Sequence, residues 1–388
     1  MTVRNGVDVL LEDPSSFIGD ARIGLITNPT GVTMGLYSTL DAFHEHPGID
    51  LAAVFGPEHG ARGDAQDALP VESRVDKATG IPVYSLYGEV RRPTAEMLEG
   101  VELLVFDIQD VGARFYTYVS TLTHALEAAE EHGKGVVVLD RPNPINGVAV
   151  EGNIPEPGFE SFVGLHRVPI RHGLTIGELA QLANQGIGAE LRVVPMEGWG
   201  RGMWFDETGL PWVQPSPNIP TLETATVYPG TCLFEGVNVS EGRGTTRPFE
   251  YIGAPWIDAR SWASALNVLD LDGAVFRPCH FTPTFDKHQG EPCGGVQVHV
   301  TDWNAFKPVE AGLHMLAICI DLWPEECQWR TATDSERLHF DLLAGTDKIR
   351  DALTEGVSVD DIVGGWTGDL ASFMERREDI LLYRDGGS

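Results

Sequence analysis

Short apolar runs separated by charged and Gly-Pro-rich loops mark the first half of the chain. Arg22 to Thr27 reads as a strand, as do Leu51 to Phe55, Leu103 to Phe106, Val136 to Leu139 and Leu191 to Val194. Between them the pattern changes to helical periodicity. Leu36 to Glu45 predicts a short helix. Tyr118 to His132 predicts a longer one, with Val119, Leu122, Leu126 and Ala129 on one face and Gly133 as its stop. Ile176 to Asn184 predicts a third, opened by a capping box of Thr175 and Glu178. Strands without internal polar residues, alternating with helices, imply βαβ units and a parallel sheet covered on both faces.

The texture changes between Gly209 and Gly230. Pro211, Pro215, Pro217, Pro220 and Pro229 crowd this stretch, which argues against a regular helix or central strand and for a passage between two domains. Beyond it, strand-like runs lie near Val275-Phe276 and from Val296 to Val300, then a helix carries Val309, Leu313, Leu316 and Ile320. Ser335 to Tyr383 is helical and acidic. The fold class expected is α/β: a Rossmann-like domain with a parallel sheet over residues 1–228 and a smaller α+β domain over 229–388.

Composition narrows the partners. The 388 residues include 57 Asp plus Glu against 27 Lys plus Arg, a net charge of −30. Lys occurs only at 77, 134, 287, 307 and 348. Such a surface suits a high-salt cytoplasm, with an ordinary acidic enzyme of an Arg-rich genome as the alternative. It disfavours a nucleic-acid partner. No apolar run is long enough to span a membrane, and Met1 to Asp8 has no export-signal pattern, so a cytoplasmic location is expected. The cysteines (232, 279, 293, 319 and 327) form no Cys-x-x-Cys pair and read as buried free thiols. Oligomeric state is not legible.

Ligands of open parallel sheets bind beyond the carboxyl ends of the strands. Those ends here carry Asn28 and Thr30; Glu58, His59, Arg62 and Asp64; Asp107, Gln109, Asp110 and Arg114; and Asp140, Arg141 and Asn143. Phe55-Gly56-Pro57-Glu58-His59-Gly60 stands out, because a carboxyl and an imidazole side by side at a buried strand end can shift a pKa toward neutrality for acid-base work. No Gly-x-Gly-x-x-Gly follows the first strand, and Gly242 to Arg247 is only a remote likeness. A phosphate-binding Gly-x-x-x-x-Gly-Lys loop and a Gly-x-Ser-x-Gly elbow are also missing from the sequence. Arginines interleave with the aspartates and would compete with a metal, so no metal and no cofactor are expected. Carboxylates with Arg, Tyr116 and Tyr118 better suit a sugar bearing an anionic group.

Several blocks then combine into a recognisable order. They are Phe55 to Gly60, Asp107 to Tyr118, Asp140 to Pro144, Glu151-Gly152, Arg171 to Thr175, Pro215 to Asn218, Tyr228 to Thr231 and Ser240 to Thr246. In this order the chain resembles the exo-β-N-acetylmuramidase family, enzymes that release terminal N-acetylmuramic acid from peptidoglycan fragments. The resemblance implies a small glycan or muropeptide substrate and makes Glu58 the catalytic acid, with His59 tuning it or contacting substrate. The second carboxylate stays open among Asp110, Asp107, Glu151 and Glu241, as does cleavage assisted by the substrate's own acetamido group. Under this resemblance Arg62, Arg141 and Arg243 are the candidate clamps for the lactyl carboxylate. Asn28, Gln109, Arg114, Tyr116, Asp140, Asn143, His172 and Asn218 complete the expected lining. A non-catalytic sugar-acid binding protein is the alternative from another class, and a nicotinamide-dependent enzyme a third.

Overall fold

The computed structural model of the chain describes residues 2–58, 60–63, 74–88, 90–333 and 335–384, so His59 and Asp64 lie outside the described residues. The first domain is built on β1 (Arg22–Thr27), β2 (Asp50–Gly56), β3 (Arg74–Val75), β4 (Pro82–Ser85), β5 (Leu103–Asp107), β6 (Gly135–Leu139) and β7 (Glu190–Val194). Their order is β3-β4-β2-β1-β5-β6-β7, parallel except where β3 pairs antiparallel with β4. The apolar runs are continuous because both faces of the sheet are covered. Leu25, Val54, Val105 and Val137 turn toward Leu10 and Phe43. Ile26, Phe55, Phe106 and Val138 turn toward Leu122 and Leu126 of the helix Tyr118–Glu131. The capping box at Thr175 is present, with Glu178 N–H donating to Thr175 Oγ1 and Thr175 N–H to Glu178 Oε2.

The smaller domain holds the antiparallel strands β8 (Tyr251–Ala254), β9 (Ala274–Phe281) and β10 (Cys293–Val300), in the order β8-β10-β9. It is joined by the helices Ala259–Val268 and Pro308–Leu322 and by short helices from His339 to Arg377. Cys232, Cys279, Cys293 and Cys319 are buried free thiols, and Cys327 is half-buried.

The proline-rich passage differs from its reading. Leu222–Thr231 is a helix that runs through Pro229. Thr221 caps it by accepting from Thr224 N–H, and Pro229 falls in its last turn, after which the chain tightens into a 3₁₀ turn over Cys232–Gly236. Close packing holds it: a Cβ on Gly230 would overlap the Pro308 carbonyl, and one on Gly312 would lie 2.5 Å from Gly230 O. The C-terminal segment returns to the first domain, where the Tyr383 hydroxyl donates to Asp140 Oδ2 (2.7 Å) and accepts from Met196 N–H (2.8 Å).

Candidate active site

The strand order changes direction between β1 and β5, which is where a doubly wound sheet opens its crevice. Here the chain fills that crevice itself. Arg141 clamps Asp107 with Nε and Nη2 at 2.6 and 2.9 Å, and Thr39 Oγ1 donates to the same carboxylate at 2.6 Å. Gln109 N–H donates to Thr30 Oγ1, and Asn28 Oδ1 accepts from Thr30 N–H. A space of about 20 Å³ remains, against the roughly 300–1,000 Å³ of small-molecule sites. A dinucleotide has no room there.

The large cavity, about 840 Å³, lies to one side, where the end of β2 faces the smaller domain. Gly56 permits the turn into it, since a Cβ there would lie 2.6 Å from Ala61 N, and Gly60 adopts φ 73°. Glu58 projects into this cleft, with Thr117 Oγ1 3.5 Å from Oε2. Tyr116, Tyr118, Tyr228 and Phe249 form its aromatic wall, in edge-to-face pairs 4.9 Å (116–118), 5.9 Å (116–228) and 4.7 Å (228–249) apart. Burial raises the hydroxyl pKa values of Tyr116 and Tyr228 well above their ordinary range, so both stay protonated donors.

The smaller domain contributes an ion-pair chain. Arg243 binds Glu235 (2.8 Å) and Glu241 (3.1 Å), Lys287 binds the other oxygen of Glu241 (2.6 Å), and His339 Nε2 lies 3.4 Å from Glu235. Burial pushes the Glu235 carboxyl up, but the Arg243 charge and the His339 hydrogen bond outweigh it and hold it below the usual carboxylate range. Two left-handed glycines shape the Arg243 loop, Gly242 at φ 78° and Gly244 at φ 76°. A Cβ would meet Tyr251 O at 2.5 Å in the first and Phe285 N at 2.7 Å in the second.

Of the residues singled out in the sequence, Glu58, Tyr116, Tyr118, Asn218, Glu241 and Arg243 line this cavity. The other described ones hold the rim together. Arg62 is bound by Asp41 (2.7 Å) and Asp76 (2.6 Å) and Arg141 by Asp107 (2.6 Å), so both expected clamps already meet carboxylates of the scaffold. Arg114 is buried and donates to four carbonyls, those of Asn153, Val168, Leu343 and Ala344. Burial without a counter-charge lowers it to about 9. Asp140 accepts from Thr175 Oγ1, Gly177 N–H and Tyr383. Gln109 donates to Pro142 O, and Asn143 to Leu174 O. Glu151 accepts from Glu310 N–H. His172 accepts Leu174 N–H at Nδ1 and turns Nε2 to Asp110, 3.5 Å away.

Glu235, Lys287, His339, Arg91, Arg330 and Arg337 went unread in the sequence, although all but Lys287 line the cavity. Their separate segments carried no local pattern. Phe115, Thr117, Ser216 and Tyr228 stood within quoted blocks and were lining residues that could have been taken from them.

A Rossmann-like domain and a smaller domain closing on a cleft of tyrosines, carboxylates and arginines define a two-domain enzyme shaped for a polar, ring-shaped ligand. The chain belongs to the exo-beta-N-acetylmuramidase NamZ family, whose N-terminal model matches residues 23–223 and whose C-terminal model matches residues 226–383. It is 51% identical over 383 residues to the Bacillus subtilis (strain 168) protein named peptidoglycan beta-N-acetylmuramidase NamZ, covering 98% of this chain and 91% of that one. Crystal structures of two DUF1343 family proteins of Bacteroides fragilis are also similar. One has a TM-score of 0.90 at 39% identity over 99% of both chains, the other 0.76 at 30% identity over all of both.

Proposed function

We propose that Glu58 is the general acid with which this exo-acting glycoside hydrolase releases terminal N-acetylmuramic acid from peptidoglycan-type glycans. One observation carries the assignment: among the described strand-end carboxylates Glu58 faces the cavity, whereas Asp107, Asp110 and Asp140 accept internal hydrogen bonds and do not line it. Its role is to protonate the leaving glycosidic oxygen while Tyr116 and Tyr228 flank the sugar. Of the four carboxylates proposed as its partner, Glu241 lines the cavity, and it is ion-paired to both Arg243 and Lys287. A carboxylate held in this way is suited to orient rather than attack. That favours the substrate's acetamido oxygen as nucleophile.

The test is Glu58→Gln on two substrates, a disaccharide ending in N-acetylmuramic acid and the para-nitrophenyl N-acetylmuramide. A sugar leaving group needs a proton, so kcat should fall about 10²- to 10⁴-fold on the disaccharide. Nitrophenolate leaves without one, so the loss there should be much smaller. Equal losses on both would reject the acid role, and an unchanged rate would reject Glu58 altogether.

A further inference from the structure

Most described arginines of this acidic chain meet carboxylates or carbonyl oxygens, as Arg62, Arg114, Arg141, Arg201, Arg243 and Arg350 do. Two lining the cleft differ. Among the described residues no carboxylate lies within ion-pair distance of Arg330 or Arg337. Arg114 and Arg192 also lack a carboxylate partner, but backbone carbonyls receive their guanidiniums; two arginines on one wall of one cavity with neither kind of acceptor among the described residues point to an anion supplied from outside.

Backbone register brings the two together. Thr331 and Leu338 form an antiparallel bridge, flanked by hydrogen bonds from Ala332 N–H to Arg337 O (2.9 Å) and from His339 N–H to Arg330 O (2.8 Å). Side chains alternate along each strand, so Arg330, Arg337 and His339 share one face of this hairpin and Thr331 and Leu338 the other. Arg330 and Arg337 are diagonal neighbours, a relation that sets such residues about 7–8 Å apart, close enough for both guanidiniums to converge on one carboxylate. The hairpin is anchored where His339 reaches Glu235 of the ion-pair chain. Arg337 is also oriented from the other domain, because its guanidinium carbon sits 4.2 Å over the Phe159 ring. That stacking holds the fork in place without neutralising it.

We infer that the hairpin face of Arg330 and Arg337 is the anion-reading subsite of the cleft, which takes a carboxylate borne by the sugar. The inference rests on the family activity and identifies that carboxylate as the lactyl group of N-acetylmuramic acid. It also accounts for how a strongly negative protein holds a negative substrate. Repulsion acts at long range and is screened by salt, whereas two paired guanidiniums act at contact inside a partly enclosed cleft.

The experiment compares wild type, Arg330→Gln, Arg337→Gln, the double Gln variant and the double Lys variant. Substrates are the aryl N-acetylmuramide and its uncharged lactyl carboxamide. Calorimetry with free N-acetylmuramic acid and its carboxamide reads the same difference without turnover. For the double Gln variant, kcat/KM and affinity should fall about 10- to 100-fold for the carboxylate forms, as expected for losing charge-assisted hydrogen bonds. The carboxamide forms should change less than about threefold, the double Lys variant should recover part of the loss, and Tm should hold. Carboxylate and carboxamide forms affected equally, or neither affected, would overturn the subsite. A wild type that turns over neither substrate would count against the family activity instead, and the calorimetric comparison would still decide the subsite.

Discussion

Arg114 offers the sharpest division between a residue that touches substrate and one that holds the site in shape. Replacing it with Met keeps the aliphatic stem and removes every donor. Four carbonyls then change. Ala344 O keeps a donor in Asn153 Nδ2 at 2.7 Å, while Asn153 O, Val168 O and Leu343 O lose the guanidinium N–H that reaches them at 2.6–2.9 Å. At about 1–3 kcal/mol for each buried acceptor left unpaired, the gross loss is about 3–9 kcal/mol. Relief of the cost of burying an uncompensated guanidinium offsets part of it, since that burial already lowers Arg114 to about 9. A net destabilisation of about 3–5 kcal/mol results, in the range seen when one partner of a buried charged contact is removed. With an unfolding entropy of about 2.1 cal/mol/K per residue over 388 residues, Tm should fall by about 4–6 °C. Because the carbonyls come from residues 153 and 168 on one side and 343 and 344 on the other, the loss also loosens the junction that frames the cleft. Differential scanning calorimetry, with KM measured well below Tm, is the assay. An unchanged Tm with a raised KM would refute this account and restore Arg114 to substrate binding.

Three further outcomes follow from the same structure. Burial holds Glu151 up at about 7 against an ordinary 4.5, despite the Glu310 N–H. The folded state therefore keeps this proton longer than the unfolded one, so its contribution is full below about pH 4.5 and is lost as pH rises toward 7. Glu151→Gln should flatten the fall in Tm across that window, and parallel Tm–pH curves would reject the reading. Gly312→Ala sets a methyl 2.5 Å from Gly230 O, and overpacking of this kind costs about 1–3 kcal/mol. A denaturation midpoint equal to wild type would show that the two helices can move apart freely. Asp107→Asn should lower stability with KM little changed, because its carboxylate meets Arg141 and Thr39 rather than the cavity; a selective rise in KM would return it to the site.

By itself the sequence determined the β1, β2, β5, β6 and β7 strands, the helix from Tyr118 and the helix from Ile176, because apolar periodicity and capping are local properties. It also determined that polar residues gather at the carboxyl ends of one sheet, since parallel strands must all end on the same side. It could not determine which of those polar residues face a ligand. Asp107 and Glu58 look alike as strand-end carboxylates; Asp107 lies above the crossover, where Arg141 and Thr39 neutralise and cover it, and Glu58 lies one strand beyond β1, where the smaller domain leaves a gap. The helix through Pro229 was hidden for a related reason: propensity spoke against it, and packing of Gly230 on Pro308 and Gly312 outweighed propensity. Arg330 and Arg337 were the least legible of all, since their meaning depends on their making no ion pair among the described residues and on a hairpin register that sets them on one face. Polar groups bury only when paired, and pairing is a property of distances across the fold. Tertiary structure alone therefore decided which charges were spent on the scaffold and which were left facing the cavity.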